Sequence, residues 1–132
     1  MKIVYVVAAA LVDGDGRVLL AQRPEGKSLA GLWEFPGGKL ESGESPEAAL
    51  VRELDEELGI VAEELAPFTF VSFGYPDFHL VMLLYWCRQW KGQPHGRDGQ
   101  PLRWEYPKAM AVLPMPPADV PLVDALVAAI GA

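Results

Sequence analysis

The chain has 132 residues, 51% of them hydrophobic and 22% charged, which is the size and composition of one globular domain and excludes a disordered or low-complexity segment. Its 18 acidic and 11 basic residues leave a net charge of -7, the wrong sign for gripping a nucleic acid polymer through counterion release. The single cysteine, Cys87, lies in the apolar run LVMLLYWC; it leaves no intrachain disulfide, reads as a core thiol and points to a reducing, cytoplasmic setting.

The first stretch, MKIVYVVAAALVDG, has a lysine, an apolar run and small residues, the rough make-up of a signal peptide. The run is too short to span a bilayer, and its Val and Ile content favours a buried strand at 2–12, with no membrane association. Asp13-Gly14-Asp15-Gly16 predicts a turn into a second strand at 17–23. Residues 24–32 read as a loop and WEF at 33–35 as a short strand, stopped by Pro36 and the Gly37-Gly38 pair. A helix follows, with Ser45 as N-cap, Pro46 at the first position, Glu47 in the first turn and Gly59 at its end. Residues 65–74 and 79–90 are aromatic and β-branched enough for two long strands joined at Tyr75-Pro76-Asp77. A polar loop, KGQPHGRDGQP at 91–101, leads into a short strand, LRWEY at 102–106, and then a turn of helix, PKAMAVL. After PMPPAD, Leu122, Leu126 and Ile130 recur at spacings of four on a C-terminal helix over 119–130. The sum is one domain over 1–132, α/β (α+β), with a mixed β-sheet and helices on its faces.

On the helix over 46–58, Leu50, Leu54 and Leu58 form a buried stripe, while Glu53, Glu56 and Glu57 share another face at i, i+3 and i+4. Like charges at that spacing cost a few tenths of a kcal/mol, and acids near a helix C-terminus oppose its dipole. Arg52 is expected to relieve little of this. A solvated acidic face is the plain explanation. The preceding GGKLESGE favours another, because its carbonyls and sharp turn place several oxygens beside the carboxylates, as a hard divalent cation requires. Mg²⁺ suits this set better than zinc, since no His/Cys ligand group is present.

Gly38, Glu44, Arg52-Glu53-Leu54, Glu56-Glu57 and Gly59-Ile60, with their spacings, reproduce the Nudix signature. The flanks LLAQRP at 19–24, GLWEFPGGK at 31–39, QWKGQPHGRDGQPLRW at 89–104 and PPAD at 116–119 resemble the MutT-like branch of that family. The resemblance implies a Nudix fold, a sheet sandwiched between helices (α/β/α sandwich). It also implies a Mg²⁺-dependent pyrophosphohydrolase, with Mn²⁺ able to substitute, that converts a small-molecule nucleoside triphosphate to a monophosphate and diphosphate. Sanitising oxidised nucleotides such as 8-oxo-dGTP, for mutation avoidance, is the expected task, performed by a monomer or weak dimer.

By the same resemblance the Gly37 carbonyl, Glu53, Glu56 and Glu57 hold the metal, and Asp98 of GRDGQP completes the set where the family usually has Glu. The shorter side chain leaves room for a bridging water or shifts this role elsewhere. Glu53 is the first choice as general base and Asp98 the second. Glu44 and Arg52 are expected to brace the loop as a charge pair, with Gly38 and Gly59 structural. Arg23 and Lys39 are candidate phosphate contacts, Glu34 joins the substrate-binding set, and Phe35 and Phe78 are candidates to border the base. His79 is read as sheet packing, His95 as loop.

The MutT-like pattern implies an Asn after PPA, giving a hydrogen bond to O6 of oxidised guanine and accepting one from its N7–H. Here the residue is Asp119. An ionised Asp accepts but cannot donate, so it serves guanine poorly unless protonated in an apolar pocket, and it could accept from the exocyclic amine of cytosine. Asp119 could also cap the last helix. CTP or 5-substituted dCTP hydrolysis is therefore the rival specificity. Hydrolysis of nucleotide sugars of the ADP-ribose type and a non-catalytic nucleotide-binding module are the remaining alternatives.

Overall fold

A computed structural model describes residues 1–26 and 29–131, so the middle of the predicted 24–32 loop lies outside the described residues. The elements are β1 (Ile3–Leu11), β2 (Val18–Gln22), β3 (Trp33–Glu34), β4 (Gly37–Lys39), α1 (Pro46–Leu58), β5 (Val61–Gly74), β6 (His79–Lys91), β7 (Leu102–Glu105) and α2 (Val120–Ile130), with 3-10 turns at Pro107–Val112 and Pro117–Asp119. One sheet runs β4-β1-β6-β5, with β1 parallel to β6 and the other pairs antiparallel, and a second runs β3-β2-β7.

Alternation along β1 distributes the core between two helices. Val7, Ala9 and Leu11 pack with Leu50, Leu54 and Leu58 of α1, whereas Ala8, Ala10 and Val12 pack with Leu122, Val123 and Leu126 of α2. The sheet is thus mixed and lies between helices, as expected. The spacing of four in both helices is what puts those leucines on one stripe, and burying each contributes about 1.5–3 kcal/mol. Among the described residues no helix is long and apolar enough to cross a membrane.

Several boundaries differ from the sequence reading. Strands β1 and β2 do not form a regular hairpin: one bridge joins Val12 and Val18, and β2 pairs with β3 and β7 in the other sheet. The Asp13 carboxylate accepts from the main-chain N–H groups of Asp15 and Arg17, both at 2.9 Å, and from Arg17 Nε at 2.8 Å. That side-chain turn closes the bend without a ladder behind it. Gly37-Gly38, read as a strand stop, is itself in strand β4, because Val7 and Ala8 supply the ladder partners that no local pattern reveals. Strand β5 begins at Val61 rather than 65, with irregular register through its polar start.

Helix α1 is delimited as the sequence suggests. Ser45 Oγ accepts the Ala48 N–H at 3.1 Å, and Gly59 takes a left-handed φ of 66° as its N–H returns to the Asp55 carbonyl. The helix lies over β4, where a Cβ added to Gly38 would fall 2.6 Å from both Glu53 carboxylate oxygens. Glycine is needed there for close approach.

Two thermal-melting experiments test this seating of α1. Leu54→Ala removes a fully buried side chain and is expected to destabilise by about 2–5 kcal/mol. Gly38→Ala forces strand and helix apart and is expected to cost about 1–3 kcal/mol. An unchanged Tm for either variant would contradict the packing described.

Candidate active site

A cavity of about 640 Å³ opens at one side of the four-stranded sheet. Its walls bring together Arg23, Glu34 and Phe35 from around β3, Gly37, Gly38 and Lys39 of β4, and Glu57 of α1. Phe78, Asp98 and Asp119, distant in sequence, complete it. Glu53, Glu56, Glu44, Arg52 and Gly59 do not line it. Glu53 stands immediately behind Gly38, and Glu56 lies further out, with its side chain 59% exposed.

The acidic end is organised around Arg52. Its Nε and Nη2 donate to the two Glu44 oxygens at 2.7 and 2.9 Å, and its Nη2 also reaches the Lys39 carbonyl at 3.2 Å. The remaining nitrogen, Nη1, donates to Glu53 at 2.9 Å and to Glu56 at 3.3 Å. The expectation that Arg52 would do little for the crowded glutamates is therefore corrected. The bidentate Glu44 contact turns the guanidinium back over the helix face, so one cation serves four acids, Glu41 lying 3.5 Å from Nη1. Arg52 and the Glu41 amide hold the Glu44 carboxyl down at about 2, and Glu44 in turn raises the Arg52 pKa.

Glu57 is placed differently. Its Oε2 accepts the Gly37 N–H at 3.0 Å. Burial pushes its carboxyl up to about 8; the Gly37 amide pulls it back, while the Glu53, Glu34 and Asp98 charges add to the rise. Glu53 is also raised, chiefly by burial, with Arg52 opposing. Among the described residues no three His, Cys, Asp or Glu side chains are gathered closely enough to hold a metal as they stand. Glu53 and Glu56 are turned to Arg52, and Glu57 to the Gly37 amide. The donor set fits a hard divalent ion, being all oxygen, and the space a Cβ would fill at Gly38 holds the Glu53 carboxylate against β4. Glu53, Glu56, Glu57, Asp98 and the Gly37 carbonyl are the groups that would hold it.

At the opposite end Asp119 is 1% exposed, and neither carboxylate oxygen has a hydrogen-bond partner among the described residues. It stands at the N-cap position of α2 but makes no capping bond; its preceding 3-10 turn aims the side chain into the cavity instead. Burial pushes its pKa up to about 7, aided by the Glu34 charge, while the Phe35 amide and the Arg23 charge pull it down. Arg23 Nη1 lies 3.1 Å from Glu34 Oε2, so this pair borders the Asp119 pocket. Phe35 is buried, and Phe78 stacks on Tyr75 with ring centroids 5.1 Å apart.

Tyr75 and Gln100 are among the lining residues that escaped the sequence reading. Tyr75, read there only as part of a strand link, has its pKa raised by burial and by the nearby Asp119 charge. Gln100 lay in what read as a polar loop; it bonds both the Asp98 N–H and the Glu57 carbonyl. No local periodicity marks either residue, since only the closing of β5 on β6 and of the loop on α1 brings them in. His79 bonds Ser72, and the His95 ring packs on Gly59.

Comparison with known proteins gives the same picture. The NUDIX domain model matches residues 7–125. The chain is 40% identical to an 8-oxo-dGTP diphosphatase of Haemophilus influenzae, covering 95% of this chain and 92% of that protein. It is 41% identical to a CTP pyrophosphohydrolase of Escherichia coli, covering 97% and 94%. Among solved structures, a MutT from work on Aliivibrio salmonicida and Vibrio cholerae superposes with a TM-score of 0.84 at 37% identity, covering 97% and 99%. The Escherichia coli ORF135 protein gives 0.86 at 40%, covering 97% and 91%. Nudix hydrolases generally need a divalent metal, which agrees with the all-oxygen donor set beside α1. With the signature, the fold and the family match in accord, the chain belongs to the NUDIX domain family of hydrolases.

Proposed function

We propose that this protein is a Mg²⁺-dependent nucleoside triphosphate pyrophosphohydrolase that yields a monophosphate and diphosphate, with oxidised nucleotides such as 8-oxo-dGTP as first substrates. The observation that carries this reading is one cavity with two unlike ends: Glu57 of α1, with Glu53 behind Gly38, and the Asp98 loop at one, the buried, unpartnered Asp119 at the other. A polyphosphate belongs at the first and a base at the second. The resemblance to the 8-oxo-dGTP diphosphatase supports the same assignment.

Bound Mg²⁺ supplies neutralisation of phosphate charge and polarisation of the bond being broken. Glu53 takes a proton from water as the water oxygen bonds phosphorus and the anhydride P–O bond breaks, releasing diphosphate; Asp98 is the second choice for this role. Burial raises the Glu53 pKa and so its basicity, with Arg52 opposing the rise. Arg23 and Lys39 border the cavity where phosphates and ribose would pass, and Phe35, Phe78 and Glu34 surround the base. Glu44, Arg52, Gly38 and Gly59 hold the acidic face in place.

CTP or 5-substituted dCTP is the second reading, favoured by Asp119 itself. When protonated it both donates to O6 and accepts from N7–H of 8-oxoguanine; when ionised it only accepts, as the cytosine amine requires. The likeness to the CTP pyrophosphohydrolase fits this alternative.

Pyrophosphate release measured over a panel of natural and oxidised nucleoside triphosphates tests the reaction. Turnover of 8-oxo-dGTP is expected, and Glu53→Gln should lower kcat by about 100-fold or more; no release from any triphosphate would refute the assignment. The pH dependence tests the base end. With the Asp119 pKa at about 7, its neutral fraction falls from ~0.9 at pH 6 to ~0.1 at pH 8. Glu34, Arg23 and Tyr75 are the charged or titratable groups around it. The ratio of kcat/KM for 8-oxo-dGTP to that for CTP cancels the shared acidic machinery and is expected to fall about tenfold or more from pH 6 to 8. Asp119→Asn should make the ratio flat. A wild-type ratio that rises or stays level removes Asp119 from base selection.

A further inference from the structure

The loop between β6 and β7 is docked on the C-terminal end of α1. The His95 N–H donates to the Leu58 carbonyl and the Arg97 N–H to the Glu57 carbonyl, each at 3.1 Å, and Arg97 Nη1 donates to the Asp55 carbonyl at 3.0 Å. The Glu57 and Leu58 carbonyls in the last turn lack partners inside their own helix, so this loop serves as an external cap, and Asp55 takes the Arg97 bond in addition to the Gly59 N–H. Gln100 uses both ends of one amide in the same contact. Its Nε2 donates to the Glu57 carbonyl at 3.0 Å, and its Oε1 accepts the Asp98 N–H at 2.9 Å. The residue is half-buried and lines the cavity.

We propose that Gln100 is the positioning residue that sets the Asp98 carboxylate against the α1 carboxylates, and that its primary amide is required because it donates to the helix while accepting from the loop. The inference rests on the role given to Asp98 above. Asp98 is exposed and short, with one side-chain carbon fewer than glutamate, so it has little torsional reach to compensate for a displaced loop. The Gln100 bridge ties the Asp98 main chain to the Glu57 main chain, and the Asp98 charge adds to the rise of the Glu57 pKa. A carboxylate at 100 loses the donor to Glu57, leucine loses both bonds, and asparagine falls short by one carbon. A Cβ on Gly96 would press on the Gln100 carbonyl and come 3.0 Å from its Oε1, so the loop has closed tightly around this side chain.

A double-mutant cycle on the full chain separates positioning from simple helix capping. The proteins are wild type, Asp98→Asn, Gln100→Leu and the double variant, with Gln100→Asn and Gln100→Glu as second probes should the leucine fold poorly. The readouts are kcat and KM for a nucleoside triphosphate with Mg²⁺, Mn²⁺ affinity by electron paramagnetic resonance, and amide hydrogen exchange at Asp98. Gln100→Leu is expected to lower kcat by about 10- to 100-fold, with KM changed less than about twofold. Mn²⁺ binding should weaken, exchange at the Asp98 N–H should accelerate about tenfold or more while the α1 interior stays protected, and the double variant should be no slower than Asp98→Asn alone. The proposal is overturned if the two losses multiply in the double variant, or if Asp98 exchange is unaffected by any change at 100. Wild-type kcat in Asp98→Asn would instead sink the role of Asp98; the exchange readout would still report whether Gln100 holds the loop.

Discussion

The fixed guanidinium of Arg52 is the constraint on which the rest of the acidic end depends. Three glutamates on one helix face repel, and two of them are partly buried, where repulsion is screened least. Arg52 would be a floppy surface cation if only the helix held it. Clamped in a fork by Glu44, it becomes a permanent positive charge over Glu53 and Glu56, and it ties the loop after β4 to the helix through the Lys39 carbonyl. The same contact therefore shapes the loop and makes the carboxylate face tolerable. Glu57, beyond its reach, leans on the Gly37 amide and keeps a raised pKa. A divalent cation would take over part of what Arg52 and Gly37 supply, exchanging those hydrogen bonds for stronger ionic contacts.

Burial raises the pKa of an acid at each end of the cavity, and Glu34 acts on both. Its charge raises the pKa of Glu57 at one end and of Asp119 at the other. Arg23 lies against Glu34 and pulls Asp119 the other way. Charge placed near this pair by a substrate therefore reaches both ends. Asp119 is near the midpoint of its titration at neutral pH because its 3-10 turn faces it inward, without the hydrogen bonds that a helix cap would have provided. A buried group left unpartnered is costly, so its partner is expected to come from a ligand.

Much of the site could be read from local pattern. The leucine stripe, the Ser45 cap, the Gly59 stop and the carboxylates at i, i+3 and i+4 all lie within one helix, where spacing alone fixes which side chains share a face. What could not be read depended on partners far away in the chain. Gly37-Gly38 looked like a break and is a strand because β1 pairs with it. The Asp13 turn looked like a hairpin, yet β2 finds its ladder in the other sheet, with β3 and β7. Arg52 sits one residue from Glu53, a spacing that predicts no shared face, and only the Glu44 clamp brings its third nitrogen there.

The sequence by itself determined the two helices that enclose the sheet, because those follow from short-range spacing, and it carried the signature whose resemblance gave the family and the reaction class. Only the tertiary structure decided that Asp119 is buried without a partner rather than a cap, that Gln100 joins the Asp98 loop to α1, and that the acids rest on Arg52 and an amide. Each of these depends on which groups meet across long loops and how much water remains between them, and dielectric and hydrogen-bond geometry exist only once the chain has closed.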